Sequence, residues 1–142
     1  MDCEIILNWF RFGDMDLAVA TNSEKTMNPK PLEIICFHCQ QAIEKYLKGY
    51  LIFQSGKAPL KTHNLVELCA LCQEYDEAFG NLKAVCAMLT MYAVQTRYPD
   101  GIELEESDMI HAVLSTIATK YFPPLAELRE KLGLEDANEP NS

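Results

Sequence analysis

The chain has 142 residues, of which 49% are hydrophobic, and it carries a formal net charge of −9. This length predicts one domain with its own core, and the acidity excludes nucleic-acid binding through a broad basic face, which needs clustered Lys and Arg. A local basic pocket, within one subunit or between two, is left open. No apolar run approaches the roughly 20 residues that cross a bilayer, and the N-terminal residues hold no basic segment before an apolar one. We therefore predict a cytoplasmic protein with no membrane contact.

The first two predicted helices span residues 3–21 and 32–54. In both, apolar residues recur at spacings of three and four, which is the pattern of one buried helix face. Gly13 weakens the middle of the first helix by about 1 kcal/mol relative to Ala, so we expect a close helix crossing there. The polar residues 21–31 include two prolines and are predicted as a loop. The second helix has breakers only at its ends, and we expect the others to pack around it.

The central helix also carries a polar row beside its apolar face. Gln40, Glu44 and Lys48 follow one another at spacings of four. Glu44 and Lys48 stand in the favourable order for an ion pair along a helix, with the acid N-terminal to the base.

A third helix is predicted from Asn64 to about residue 79, with Tyr75 and Phe79 among the residues on its buried side. Asn64 suits the N-cap position, and Glu67, three residues later, is placed to reach back to it. A fourth helix is predicted over residues 82–96, and a fifth over residues 104–122, where acidic residues in the first turn suit the helix dipole.

Residues 123–132 begin with two prolines, which predict either a kink in the fifth helix or a short last helix that stops at Gly133. No strand pattern rises above this helical background. The predicted fold class is all-α, an up-and-down antiparallel bundle of about five helices. We expect residues 1–133 to form a single domain and residues 134–142 to form an acidic, disordered tail.

Four of the six cysteines form two CxxC pairs, Cys36 with Cys39 and Cys69 with Cys72. Paired CxxC motifs bind zinc when they lie about 15–20 residues apart. Here the pairs are further apart and fall within apolar helical patterns, where free cysteine behaves as a small buried hydrophobe. We therefore predict reduced core cysteines and no metal, with a zinc site as the less favoured alternative.

The central helix resembles a known family. Residues 37–48 read FHCQQAIEKYLK, which is similar to the FHxQQAxEKxLK signature of HEPN domains. Residues 61–65, KTHNL, resemble that family's K-T-H-[DN]-L segment, and Tyr92 with residues 97–100, RYPD, resembles its Y-x4-R-Y-P segment. Trp9, with Asp16, Leu17 and Ala20, resembles the family's first helix. The four pieces occur in the family's order and spacing and cover most of the chain.

The resemblance implies a bundle of about five helices that forms a homodimer. It also implies a minimal nucleotidyltransferase as a partner, in a pair of the toxin–antitoxin type. Some members cut RNA without metal, using an Arg followed after four to six residues by a His, contributed by both subunits. None of His38, His63 and His111 follows an Arg at that spacing. We therefore predict no catalytic residues and no cofactor.

The sharpest candidates for ligand binding are Arg97, Tyr98 and Asp100. An arginine fork suits a phosphate bidentately, and a tyrosine ring offers a surface on which a base can stack. In the alternative interpretation, Arg97 and Asp100 form an ion pair that fixes a turn.

A second group of candidates lies on and near the central helix. His38, Gln41 and Lys45 belong either to the polar floor of a nucleotide or RNA pocket or to a buried network that joins helices, and the network is favoured. His63, beside the expected cap, is included with them, although a structural role is favoured for it too.

Two functions from different classes follow. The first is a non-catalytic dimeric module that binds a nucleotide, RNA or the nucleotidyltransferase. The second is a metal-independent ribonuclease toxin with a degenerate site. For the dimer, the apolar residues Met88, Met91 and Tyr92 of the fourth helix are expected near the interface.

Overall fold

The computed structural model describes residues 3–95 and 103–134, except for the side chains of residues 93–95. Within these residues the chain forms six α-helices and one 3₁₀ segment, and no strand. In chain order the elements are α1 (Cys3–Thr26), α2 (Leu32–Ser55), α3 (Leu65–Gln73), the 3₁₀ segment (Glu77–Leu82), α4 (Lys83–Gln95), α5 (Glu106–Lys120) and α6 (Pro123–Lys131). The predicted all-α bundle is confirmed.

Helix α2 lies at the centre, as predicted, and contacts α1, α3, α4, α5 and α6. Its apolar side chains, including Ile43, Tyr46 and Leu47, are fully buried. None of the helices in the described part of the chain is long and apolar enough to cross a bilayer.

The predicted close crossing at Gly13 is confirmed. A Cβ atom added to Gly13 would lie 2.6 Å from Tyr46 Cε1 and 3.2 Å from the Ala42 carbonyl oxygen. A Cβ atom added to Gly49 of α2 would lie 2.9 Å from the Phe10 ring. Glycines on both helices therefore allow α1 and α2 to approach closely.

The first helix is longer than predicted. Helix α1 continues through residues that the sequence suggested as a loop and ends at Thr26. The hydroxyls of Thr21 and Thr26 donate to the carbonyls of Ala18 and Asn22, at 3.2 and 2.8 Å. A polar segment without a breaker can thus extend a helix into solvent until the prolines end it.

The third helix is shorter than predicted. It stops at Gln73, and Tyr75, which was expected on the buried side, is 48% exposed. Asp76 starts the 3₁₀ segment, because its carboxylate accepts a hydrogen bond from the Ala78 amide at 3.0 Å. The chain changes direction at this turn, and Phe79 is still buried.

The helix ends agree with the expected capping in part. Asn64 accepts hydrogen bonds from the amides of Val66 and Glu67 at 2.9 and 3.3 Å, so the predicted N-cap is confirmed. The Glu67 carboxylate accepts a hydrogen bond from the Thr62 hydroxyl at 2.9 Å instead of reaching back to Asn64. After α5 the prolines start a separate short helix, α6, and Gly133 follows it with a φ of 72°.

The cysteines of both CxxC pairs are buried in the core, and all are free thiols. Burial raises the pKa of Cys36 to about 12 and that of Cys39 to about 11. The Cys69 thiol donates to the Phe79 carbonyl at 3.1 Å. Within residues 3–95 and 103–134, no group of three or more His, Cys, Asp or Glu side chains is arranged to hold a metal ion. Core packing accounts for the positions of these cysteines.

Candidate functional site

Asp16 of α1 binds two of the candidate residues on α2. His38 Nδ1 lies 2.9 Å from Asp16 Oδ1, and Lys45 Nζ is paired with Asp16 Oδ2. The Asp16 side chain is 13% exposed, and those of His38 and Lys45 are 26% and 23% exposed. The two candidates therefore join α2 to α1 through one carboxylate.

Glu44 forms the centre of a second network on α2. Its side chain is 6% exposed and accepts hydrogen bonds from Gln40 Nε2 and Lys48 Nζ, each at 3.1 Å. The predicted ion pair between Glu44 and Lys48 is confirmed, and Lys48 is also only 6% exposed. Gln41 Nε2 donates to the side-chain Oε1 of Gln40 at 2.7 Å and so extends this network.

His63 is held against the Glu44 network at two points. Its Nδ1 lies 3.1 and 3.2 Å from the two Glu44 oxygens, and its backbone carbonyl accepts from Gln40 Nε2 at 3.1 Å. A ring nitrogen that faces a carboxylate donates its N–H, which places the hydrogen on Nδ1 and makes Nε2 the acceptor of a neutral imidazole. The His63 side chain is 71% exposed. An oriented imidazole is thus presented to solvent.

A third network, which the sequence did not suggest, is centred on Asp14 of α1. Arg129 of α6 binds the Asp14 carboxylate with both terminal nitrogens, at 2.8 and 3.0 Å. The Tyr46 hydroxyl donates to Asp14 at 2.6 Å, and burial, followed by the nearby Asp14 charge, raises the pKa of Tyr46. The Arg129 guanidinium also lies 5.5 Å from the ring centres of Phe10 and Tyr46. No sequence signal links residues 14 and 129, which are 115 positions apart.

The structure groups only some of the candidate residues. His38 and Lys45 share Asp16, whereas Gln41 and His63 belong to the Glu44 network. Arg97, Tyr98 and Asp100 lie outside the described residues, so their positions relative to these networks stay a prediction.

The residues expected at a dimer interface have different environments. Met88 and Tyr92 pack against the core of their own chain, and the Tyr92 hydroxyl donates to Asp108 at 3.3 Å. Met91 is 51% exposed. Of the three, Met91 offers the largest apolar surface to a second molecule.

The polar groups of α2 are suited to holding the bundle together. Each of the lysines Lys45 and Lys48 is paired with a carboxylate of the same chain, so neither contributes an uncompensated positive charge. Among the described residues, no hydrogen bond or ion pair joins a histidine to an arginine. His63 is the group best placed for proton transfer, because solvent reaches it and Glu44 orients its ring.

The comparisons with known proteins add one finding. A family model described as HEPN domain matches residues 7–118. In the comparisons with curated proteins and with solved structures, no match was found.

Proposed function

Because the chain belongs to the HEPN family, we propose that it is a non-catalytic dimeric module that binds a nucleotide or RNA, or docks to a minimal nucleotidyltransferase, in a toxin–antitoxin-like pair. Family membership supports a nucleotide- or RNA-related role in general. The non-catalytic role, the dimer and the partner are parts of the proposal.

One observation carries the non-catalytic part of this proposal. In the described part of the chain, His38 is bonded to Asp16 and His63 to Glu44, and neither histidine is bonded to an arginine. The sequence places no Arg four to six residues before any His. Cleavage of the family's known type uses an Arg and a His at this spacing. This chain has histidines but no Arg at the required distance before them.

The geometry of His63 favours a second candidate function, a metal-independent ribonuclease with a degenerate site. Its exposed Nε2 is a proton acceptor, and abstraction of a proton from an RNA 2′-hydroxyl needs such a group within hydrogen-bond reach. Glu44 would stabilise the imidazolium that forms.

Arg97 provides the test of binding. If Arg97 contacts phosphate, Arg97→Ala should weaken binding of a labelled single-stranded RNA by about tenfold or more, because a charged hydrogen bond contributes about 1.5–3 kcal/mol. The thermal midpoint should barely move, since an exposed ion pair contributes about 0–1 kcal/mol. Fluorescence anisotropy and circular dichroism measure the two effects.

Arg11→Ala is the matched control, because Arg11 is an exposed arginine on α1. If Arg97 and Asp100 instead fix a turn, each single variant should lower stability, and a double-mutant cycle should show coupling in folding and not in binding. If the wild-type protein cleaves RNA in EDTA and His63→Ala does not, the protein is a ribonuclease and the non-catalytic proposal is wrong.

The homodimer is tested by light scattering on the eluting protein. We expect twice the chain mass of 16.1 kDa, and a shift towards monomer in Met91→Glu, which places a charge on the exposed apolar surface of α4. Leu60→Glu is the control, since Leu60 is similarly exposed, at 49%, but lies in the loop before α3. A monomer mass at every concentration would contradict the dimer.

A further inference from the structure

A cleft of about 480 Å³ opens between α1 and α5. Its lining residues include Asp14, Leu17, Thr21 and Lys25 of α1, Lys120 of α5 and Tyr121, which follows α5. Successive residues of an α-helix are about 100° apart, so Asp14 and Asp16 point to opposite sides of α1. The cleft is therefore separate from the pair of candidates that Asp16 holds.

The charge of this cleft is opposite to that of the chain. Among the described lining residues Asp14 is the one carboxylate, and Arg129 binds it bidentately. Lys120 forms an ion pair with Asp14 at 3.8 Å, and its side chain is 11% exposed. Lys25 is exposed. The described lining residues thus hold two lysines and one carboxylate, a local charge of +1 in a chain whose net charge is −9.

The size and lining of the cleft define its ligand. Ligand pockets commonly have volumes of about 300–1,000 Å³ with a few convergent polar groups, so the cleft is large enough for a small organic anion. Tyr121 is 47% exposed, and the Lys120 ammonium lies 5.4 Å from its ring centre. An aromatic face beside a cation is suited to a planar base joined to a phosphate.

We infer that the α1–α5 cleft binds a mononucleotide, with Lys25 and Lys120 contacting the phosphate and Tyr121 stacking on the base. The nucleotide as ligand class rests on the proposed function, whereas the location rests on residues of α1 and α5 and on Tyr121. In the structural alternative the two lysines only offset the partial negative charge at the carboxyl ends of α1 and α5.

The test is a calorimetric titration of the full chain with AMP, adenosine and inorganic phosphate at low salt. We expect AMP to bind saturably and adenosine at least about tenfold more weakly, because the phosphate contacts are charged hydrogen bonds. Lys25→Gln should weaken AMP binding by about fivefold, an effect that salt reduces. Tyr121→Leu should weaken binding of AMP but not that of phosphate.

Lys83→Gln, which removes an exposed lysine from the start of α4, is the matched control and should leave binding unchanged. AMP binding that is absent, or equal in wild type, Lys25→Gln and Tyr121→Leu, would overturn the inference. A lower thermal midpoint in Lys25→Gln without saturable AMP binding would establish the structural alternative. If Arg97→Ala still weakens RNA binding in either case, the proposed function stands while the cleft assignment fails.

Discussion

Glu44 and Asp14 are both carboxylates surrounded by donors of the same chain, but they meet solvent in different ways. The Glu44 side chain is 6% exposed, and its network reaches water through the imidazole of His63. The Asp14 side chain is 28% exposed and lines a cleft together with Lys120. Two carboxylates with similar partners therefore present different groups to solvent, a proton acceptor at Glu44 and cations at Asp14.

Removing the charge of Glu44 should have the largest effect on the free energy of unfolding. Glu44→Gln leaves Lys48 buried without a counter-charge, which should lower the free energy of unfolding by about 3–5 kcal/mol. Urea unfolding followed by circular dichroism measures the loss. Adding Lys48→Met should recover most of it, because an apolar side chain of similar length needs no partner; an unrecovered double variant would show that Glu44 acts mainly through Gln40 or His63.

Asp14→Asn should have a smaller effect on the same measurement. We expect a loss of about 2–3 kcal/mol, because Arg129 loses its counter-charge but water reaches this carboxylate and can solvate part of what remains. A loss larger than that of Glu44→Gln would mean that the exposure of the carboxylate does not determine how much each network contributes to stability.

Gly13→Ala tests the α1–α2 contact beside the Asp14 network. The added methyl group would overlap the Tyr46 ring, which is buried and fixed by Asp14. We expect a net loss of about 1–2 kcal/mol, since overpacking costs about 1–3 kcal/mol and Ala regains up to about 1 kcal/mol of helix propensity. Ala87→Gly, on the exposed face of α4, measures the propensity alone. A stabilised Gly13→Ala variant would contradict the close crossing.

His63→Ala should change stability least. Its side chain is 71% exposed, so loss of its bond to Glu44 should cost about 0–1 kcal/mol. The ¹⁵N chemical shifts of the wild-type imidazole provide the sharper measurement, with Nδ1 protonated and Nε2 unprotonated in the neutral form. The opposite tautomer would remove the basis for a ribonuclease that uses His63.

The sequence predicted those features that depend on local spacing. The Glu44–Lys48 pair follows from residues four apart on one helix, and the Asn64 cap from residues two and three apart. The close crossing at Gly13 followed from a glycine within an apolar helix pattern. The ion pair and the cap each form within about one helical turn, and the crossing is indicated by a single glycine.

Features that depend on distant residues were missed. Asp14 and Arg129 are 115 positions apart, and nothing in either neighbourhood indicates the other. The cleft needs both α1 and α5, and part of its α1 wall comes from residues that the sequence suggested as a loop. The end of α3 was missed because Tyr75 fits the apolar period, whereas the Asp76 cap starts a new turn.

The Asp14–Arg129 pair also bears on what counts as a folding unit. The family match ends at residue 118, before α6 begins at Pro123. A fragment cut at that limit would keep Asp14 and Tyr46 but lose the guanidinium that binds the carboxylate and lies beside the tyrosine ring. The match to the family model therefore ends before the residue that completes this network, and we expect a fragment that stops at residue 118 to be less stable than one that extends through Lys131.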